Sequence, residues 1–391
     1  MTDPLDLRAA RVAHLAGDNP LRALTAVIDD VAGGINLGQG VCDLDAPGPL
    51  VAGALDSLRG ADRQTYTHYQ GLSGLREAIA EKLRRHNGLD VEPGGILVAT
   101  GSAGAFASAC LALVDPGDEV VLFEPFYPYH RSTLLLAGAV PVVVPLEGGS
   151  FALDPERFRA AVGPRTRAVV VNTPANPSGK VFGPEDLRAI AEVLAGTDAV
   201  VLTDEVYEYM TYDGRRHVSP ATIEGLADRT LTIGSFSKTF SITGWRVGYL
   251  AGPPDAAAAC GRVFDQIGIC APRPMQRGVE AALRRLPDDF YEDLRVGYEA
   301  RRDRMCRALE TAGFRFRWPQ GSYYVLADHR EVFGDVPSEQ AVMTMIEAIG
   351  VNAVPGSVFV ADPGSARDIR FHFAVEDDVL ADVCQRLESL A

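Results

Sequence analysis

Ala199-Val200-Val201-Leu202-Thr203-Asp204-Glu205-Val206-Tyr207 is the stretch on which the reading of this 391-residue chain turns. Apolar, largely β-branched residues follow one another without polar alternation, as a strand covered on both faces requires. The run then ends in carboxylates. An acid at the end of a buried strand is costly unless paired, so Asp204 needs a partner, either an arginine of the fold or a ligand. In open sheets of parallel strands, ligands bind outside the carboxyl ends.

Working outward, similar runs occur at Ile96–Ala99, Glu119–Phe123, Val140–Val144, Ala168–Asn172, Thr230–Ile233 and Val247–Ala251. With Ala199–Thr203 they predict seven strands, separated mostly by stretches that read as helix or loop. That alternation implies an α/β fold with a doubly wound, mainly parallel seven-stranded sheet. Upstream, Leu75, Ile79 and Leu83 repeat at helical spacing and predict a helix over 73–86. After Pro287 the character changes. A charged amphipathic helix is expected over 288–313, strand-like segments over 314–328, 351–357 and 369–374, and helices over 341–350 and 376–390. Three parts follow: an N-terminal arm over 1–45, a large domain over 46–286, and a smaller C-terminal α/β domain over 287–391 with which the arm packs.

The formal charge of −15 argues against nucleic acid or an anionic membrane as a partner, since both would repel such a surface. The start of the chain lacks a basic segment followed by an apolar one. The most apolar run, 134–146, contains prolines and is shorter than the roughly 20 residues of a spanning helix. A cytoplasmic enzyme is the expectation. The six cysteines are scattered, with no metal-binding spacing, and neither a metal site nor a disulfide framework is expected.

Polar residues recur at the strand ends. Thr100-Gly-Ser102-Ala103-Gly leads into an apolar helix whose free N–H groups can hold an anion, although tight helix packing explains the glycines equally well. Tyr127 can stack on a flat ring or pack in a core. Asn176, in Asn172-Thr-Pro-Ala-Asn-Pro-Ser-Gly, can bond a ligand hydroxyl or simply start a turn. In Ser235-Phe-Ser237-Lys238-Thr-Phe-Ser-Ile-Thr-Gly-Trp-Arg246-Val-Gly a lysine lies among hydroxyls with an arginine behind it. That set suits an amine nucleophile beside a bound phosphate; read alone, a surface loop lysine is the simpler account. Taken together, these groups match the requirements of pyridoxal 5'-phosphate: an amine for the aldehyde, an acid for the ring nitrogen, donors for the ring oxygen and a phosphate cup.

The Ser-x-Ser-Lys-(x)5-Gly-x-Arg-x-Gly pattern, with Asn-Pro-x-Gly and Asp-x-x-Tyr before it, resembles the class I/II aminotransferases of fold type I, which include aspartate, aromatic and kynurenine aminotransferases. The resemblance runs from about Asn36 to the last helix. It implies that Lys238 forms the Schiff base and shuttles the proton. Asp204 meets the pyridine nitrogen, Tyr207 and Asn176 the ring oxygen, and Tyr127 the ring face. Ser102, Ala103, Ser235, Ser237 and Arg246 form the phosphate cup. Tyr66 reaches the phosphate of the neighbouring subunit, so a homodimer is implied. Arg370 grips the substrate α-carboxylate, with Asn176 beside it and Gly40 offering its N–H. The expected reaction moves an amino group between an L-α-amino acid and a 2-oxo acid.

Lyases and synthases share this cofactor frame and form the alternative. Ala103 stands where some aspartate-type relatives carry a lysine for a side-chain carboxylate, which weakens a dicarboxylate preference. Arg273 is expected to contact substrate across the subunit boundary. Ser235-x-x-Lys238 also matches one element of penicillin-binding acyl transferases, but their Ser-Asp-Asn and Lys-Thr-Gly elements do not occur. A cofactor-binding protein without catalysis would be expected to lack the lysine or the acid, and both are present.

Overall fold

A computed structural model describes residues 20–40, 42 and 44–391. Of the expected arm over 1–45, residues 1–19, 41 and 43 therefore lie outside the described residues. The seven expected strands form one sheet: β2 (Ile96–Ala99), β3 (Glu119–Glu124), β4 (Val140–Pro145), β5 (Thr166–Asn172), β6 (Val200–Asp204), β7 (Thr230–Ser235) and β8 (Gly248–Ala251). Their order is β2-β8-β7-β6-β5-β3-β4. Only β8 runs antiparallel to its neighbours, pairing Gly248 with both Ser235 and Ala99. Because it runs backwards, β8 begins where the parallel strands end.

Both sheet faces are buried, which is why the strands read as unbroken apolar runs. Val120, Leu122, Val170 and Leu202 pack on one face with Ala105, Ala109 and Phe264, from helices Gly101–Leu113 and Pro254–Gly268. Val121, Phe123, Val171 and Val201 pack on the other with Leu187 and Ile190 of helix Pro184–Leu194. The expected helix over 73–86 is α-helical over Ser73–Lys82 and widens into a π turn over Leu83–Asn87.

The C-terminal part carries an antiparallel sheet of β9 (Arg315–Phe316), β10 (Tyr324–Asp328), β12 (Val354–Pro355) and β13 (Asp368–His372), ordered β12-β13-β10-β9. Arg370 is at its centre, opposite Leu326 on one side and Val354 on the other. A short parallel pair, β1 (Ile35–Asn36) with β11 (Val351–Asn352), ties the N-terminal segment to this part, and Asn352 Nδ2 donates to Asn36 Oδ1 at 2.9 Å. One core holds Leu24, Ile28 and Leu37 together with Met305, Val342 and Phe371. Helix Asp288–Thr311 spans the boundary: Tyr291 packs with the large-sheet helices, whereas Tyr298 and Met305 pack in the C-terminal core. No helix of the described residues is long and apolar enough to cross a membrane.

Beneath the turn that follows β6 lies a buried ion pair. Lys82 Nζ is 2.5 Å from both carboxylate oxygens of Glu208, with side chains 4% and 6% exposed. Asn87 Oδ1 and the Tyr249 hydroxyl, each at 3.0 Å, complete the ammonium's partners. Removing one member leaves the other charge buried with neutral hydrogen-bond partners and no counter-charge. Lys82→Met should therefore cost about 3–5 kcal/mol in urea unfolding, and Lys82→Met combined with Glu208→Leu should cost less. Equal losses in the two proteins would show that the pairing does not matter.

Candidate active site

The carboxyl ends of β2, β3, β5, β6 and β7 face a cavity of about 400 Å³ whose wall includes Ser102, Tyr127, Asn172, Asp204, Tyr207, Lys238 and Arg370. A smaller cavity of about 130 Å³ shares Ser102, Tyr127, Asp204 and Lys238 and adds Ala103, Ser235, Ser237 and Arg246. The smaller one is an anion pocket by construction. It lies at the start of helix Gly101–Leu113, where backbone N–H groups and the positive dipole end are free. The Ser237 hydroxyl is buried there without a hydrogen-bond partner. Close packing makes the pocket. A Cβ on Gly248 would lie 2.5 Å from the backbone nitrogen of Ser102, and one on Gly101 would meet the Arg246 guanidinium at 2.4 Å. Arg246 itself adopts left-handed backbone geometry, with φ of 56°.

In the larger cavity Asp204 is 6% exposed. His130 Nε2 lies 2.9 Å from its Oδ2, while Oδ1 has only a long contact, 3.4 Å, from the backbone of Val206. Asn172 fixes the floor by donating to the Asp204 carbonyl at 3.1 Å and accepting from the Asn176 backbone at 2.8 Å. The Tyr207 hydroxyl lies 3.1 Å from that of Tyr324. Burial pushes the Tyr207 phenol well above the usual tyrosine range and raises Tyr127 too, so both keep their protons at neutral pH. Tyr127 lines both cavities, as does Tyr129, whose ring stacks on it at 5.3 Å.

Lys238 Nζ donates to the Gly40 carbonyl at 2.6 Å, and the Tyr323 hydroxyl donates to the same oxygen at 2.7 Å. Arg370 is 5% exposed. It donates to Asn176 Oδ1 at 2.9 Å and to the Gly38 carbonyl at 3.1 Å. Its guanidinium also lies over the rings of Tyr324 and Phe359, at 4.3 and 5.1 Å. Its Nε is buried without a partner. A primary amine, a buried carboxylate, a protonated phenol, an anion pocket and an incompletely satisfied guanidinium thus surround one space.

The profile of the family described as "Aminotransferase class I and II" matches residues 32–387. The chain belongs to the class I and II aminotransferases. The solved N-succinyldiaminopimelate aminotransferase of Mycobacterium tuberculosis superposes with a TM-score of 0.92 at 38% identity, covering 97% of this chain and 99% of that one. The aspartate/prephenate aminotransferase of Cereibacter sphaeroides is 35% identical, over 96% of this chain and 94% of its own. Human kynurenine–oxoglutarate transaminase 1 is 34% identical, over 90% and 91%. These relatives support an aminotransferase and give no support to the lyase or synthase alternative. The chain is a fold type I, pyridoxal 5'-phosphate-dependent transaminase that acts on amino and keto acids.

The aminotransferase site fits that cofactor on its own chemistry. The unpartnered Ser237 hydroxyl beside Arg246 and a helix start asks for a polyanion, and the half-satisfied Asp204 asks for a cationic donor. Of the residues singled out from sequence, Ser102, Ala103, Tyr127, Asn176, Asp204, Tyr207, Ser235, Ser237, Lys238, Arg246, Gly40 and Arg370 line these two cavities. Gly40, expected to offer its N–H, presents its carbonyl to Lys238. Tyr66 lines neither cavity and is 75% exposed. Arg273, expected to reach substrate across a subunit boundary, spends its guanidinium on the Thr65 and Tyr66 carbonyls of its own chain.

Four aminotransferase residues escaped sequence reading. His130 sits three positions after Tyr127, one helical turn on, and that spacing was its only signal. Tyr323 and Tyr324 stood in a strand-like segment with no mark of function, and Phe359 fell outside every stretch the sequence singled out.

The packing at Gly248 is testable. A methyl there strikes backbone, and overpacking costs about 1–3 kcal/mol. Gly248→Ala should raise the dissociation constant for pyridoxal 5'-phosphate about tenfold. Gly163→Ala, where a Cβ meets nothing within 4 Å, should leave it unchanged. Wild-type cofactor affinity in Gly248→Ala would remove the close approach from the account.

Proposed function

We propose that Lys238 is the catalytic amine of a homodimeric, cytoplasmic aminotransferase and that Arg370 anchors the substrate α-carboxylate. The observation that carries this reading is that Lys238, Asp204 and Arg370 line a single cavity next to an anion pocket. Lys238 would hold the cofactor aldehyde through Nζ, Asp204 the ring nitrogen, and Tyr207 and Asn176 the ring oxygen. Tyr127 would cover one ring face, and Ser102, Ala103, Ser235, Ser237 and Arg246 would hold the phosphate. Bound there, pyridoxal 5'-phosphate supplies an electron sink for the pair left when the amino acid loses its Cα proton.

The residues then divide the work. Arg370, planar and always charged, meets a carboxylate with two parallel hydrogen bonds and so fixes which way Cα faces. Free of the aldehyde once the substrate amine has taken its place there, Lys238 Nζ would take the Cα proton and later give it back, acting first as base and then as acid. His130 would hold the Asp204 carboxylate in place through Oδ2, leaving Oδ1 for the ring nitrogen. The arm expected over 1–45 would pack with a small domain at 287–391, beside a large domain at 46–286. That arrangement is supported by the β1–β11 pairing and the shared core. The relatives' names range over succinylated, acidic and aromatic substrates, so the side chain accepted here is the open variable.

Lys238→Ala should lower transamination about ten-thousand-fold, the upper range for a general acid–base group, and should abolish the visible-edge absorbance of the loaded protein. Arg370→Ala leaves a bound carboxylate without its charged partner, at a cost of about 2–5 kcal/mol; KM for the best amino acid should rise about a hundredfold, and Arg370→Lys should restore only part of it. Release of ammonia from an amino acid without any added 2-oxo acid, or an unaltered absorbance band in Lys238→Ala, would sink the proposal.

A further inference from the structure

We propose that the first turn of helix Arg273–Arg285 is a brace that presents Tyr66 to a second copy of the chain, with Arg273 as a positioning residue rather than a substrate contact. The inference rests on the reading above in one respect, that Tyr66 completes the partner's phosphate site. Residues 62–72 contain no strand and no α-helix, yet one helix face holds them at Asp62, Thr65, Tyr66, Thr67 and Leu72. Arg273 donates from Nε to the Thr65 carbonyl and from a terminal nitrogen to the Tyr66 carbonyl, both at 3.0 Å. One turn later Gln276, fully buried, accepts from the Leu72 backbone at 2.8 Å and donates to Thr67 Oγ1 at 3.3 Å. Arg277 forks onto Asp62 at 2.8 and 3.0 Å. Positions i, i+3 and i+4 share one helix face, so the three contacts form a single rail.

What the rail holds is unusual. The Tyr66 carbonyl is pinned, while the Tyr66 side chain stays 75% exposed and lies outside both site cavities. A rigid backbone carrying an uncovered aromatic ring is suited to contact outside its own chain, because its ordering entropy has been met before the contact forms. Arg273 itself is only 17% exposed and committed to two successive carbonyls, so it is not free to reach substrate in another protomer. A planar guanidinium can serve both carbonyls at once, which a lysine ammonium cannot do with the same geometry.

The test uses the full-length protein loaded with pyridoxal 5'-phosphate and measures the rate of cofactor release into an excess of a phosphate-binding scavenger, alongside oligomeric state by light scattering. Tyr66→Phe should release cofactor about tenfold faster, the loss of one hydrogen bond to a charged group. Arg273→Ala should approach that rate with its oligomeric state and thermal midpoint close to wild type, and Arg273→Lys should fall between. The double variant Tyr66→Phe, Arg273→Ala should release no faster than Tyr66→Phe alone, since residues acting through one another are not additive. If Tyr66→Phe accelerates release and both Arg273 variants match wild type, the brace is wrong while the reading of Tyr66 stands. Additive rates in the double variant would also overturn the brace. Wild-type release from Tyr66→Phe would overturn the reading of Tyr66 and the brace with it. A lowered kcat/KM in Arg273→Ala at unchanged cofactor release would return Arg273 to substrate contact.

Discussion

Arg370 is a permanent positive charge buried to 5% exposure, and the site is organised around satisfying it. A charge taken out of water must be paired or hydrogen-bonded. The protein meets that demand from three distant parts of the chain: Asn176 from the end of β5, the Gly38 carbonyl from the N-terminal segment, and the rings of Tyr324 and Phe359 from the C-terminal part. None of these partners is an anion, and Nε has no partner at all. The arrangement holds the guanidinium in place while leaving its charge to be neutralised by a carboxylate from outside.

The same economy governs Lys238. Its ammonium is turned toward the Gly40 carbonyl, in the segment that β1 fastens to β11. Tyr323, from the segment entering β10, shares that carbonyl. Lys238 and Arg370 therefore both bond carbonyls of Gly38–Gly40, and the position of that short segment sets the separation of amine and guanidinium. The anion pocket is built differently, from the absence of side chains. Gly248 and Gly101 let backbone and guanidinium approach within distances that a Cβ would forbid.

Much of this was legible in the sequence because strands covered on both faces announce themselves as unbroken apolar runs. β2 matched its expected limits, and β6, expected at 199–203, lies at 200–204. Polar residues ending such runs, as Asp204 does, then mark the sheet edge. His130, Tyr323, Tyr324 and Phe359 were not legible, since aromatic and imidazole side chains in apolar surroundings read as core until their neighbours are known. The hydrogen bonds of Arg273 to the Thr65 and Tyr66 carbonyls were not legible either, since they join residues more than 200 positions apart.

By itself the sequence determined the chemistry available at each strand end: an acid after β6, an amide after β5, an amine after β7 and small residues after β2. It also carried the family motifs that name the cofactor. Only the tertiary structure decided which of these groups meet. β8 runs against its neighbours, so Arg246, two residues ahead of it, arrives at the edge where the parallel strands finish, beside Ser102 and Ser237. Arg370 comes to Asn176 across 194 positions of chain. Local periodicity reports which face of an element is buried, but strand order and the burial of a distant charge are properties of the assembled sheet, and no local pattern encodes them.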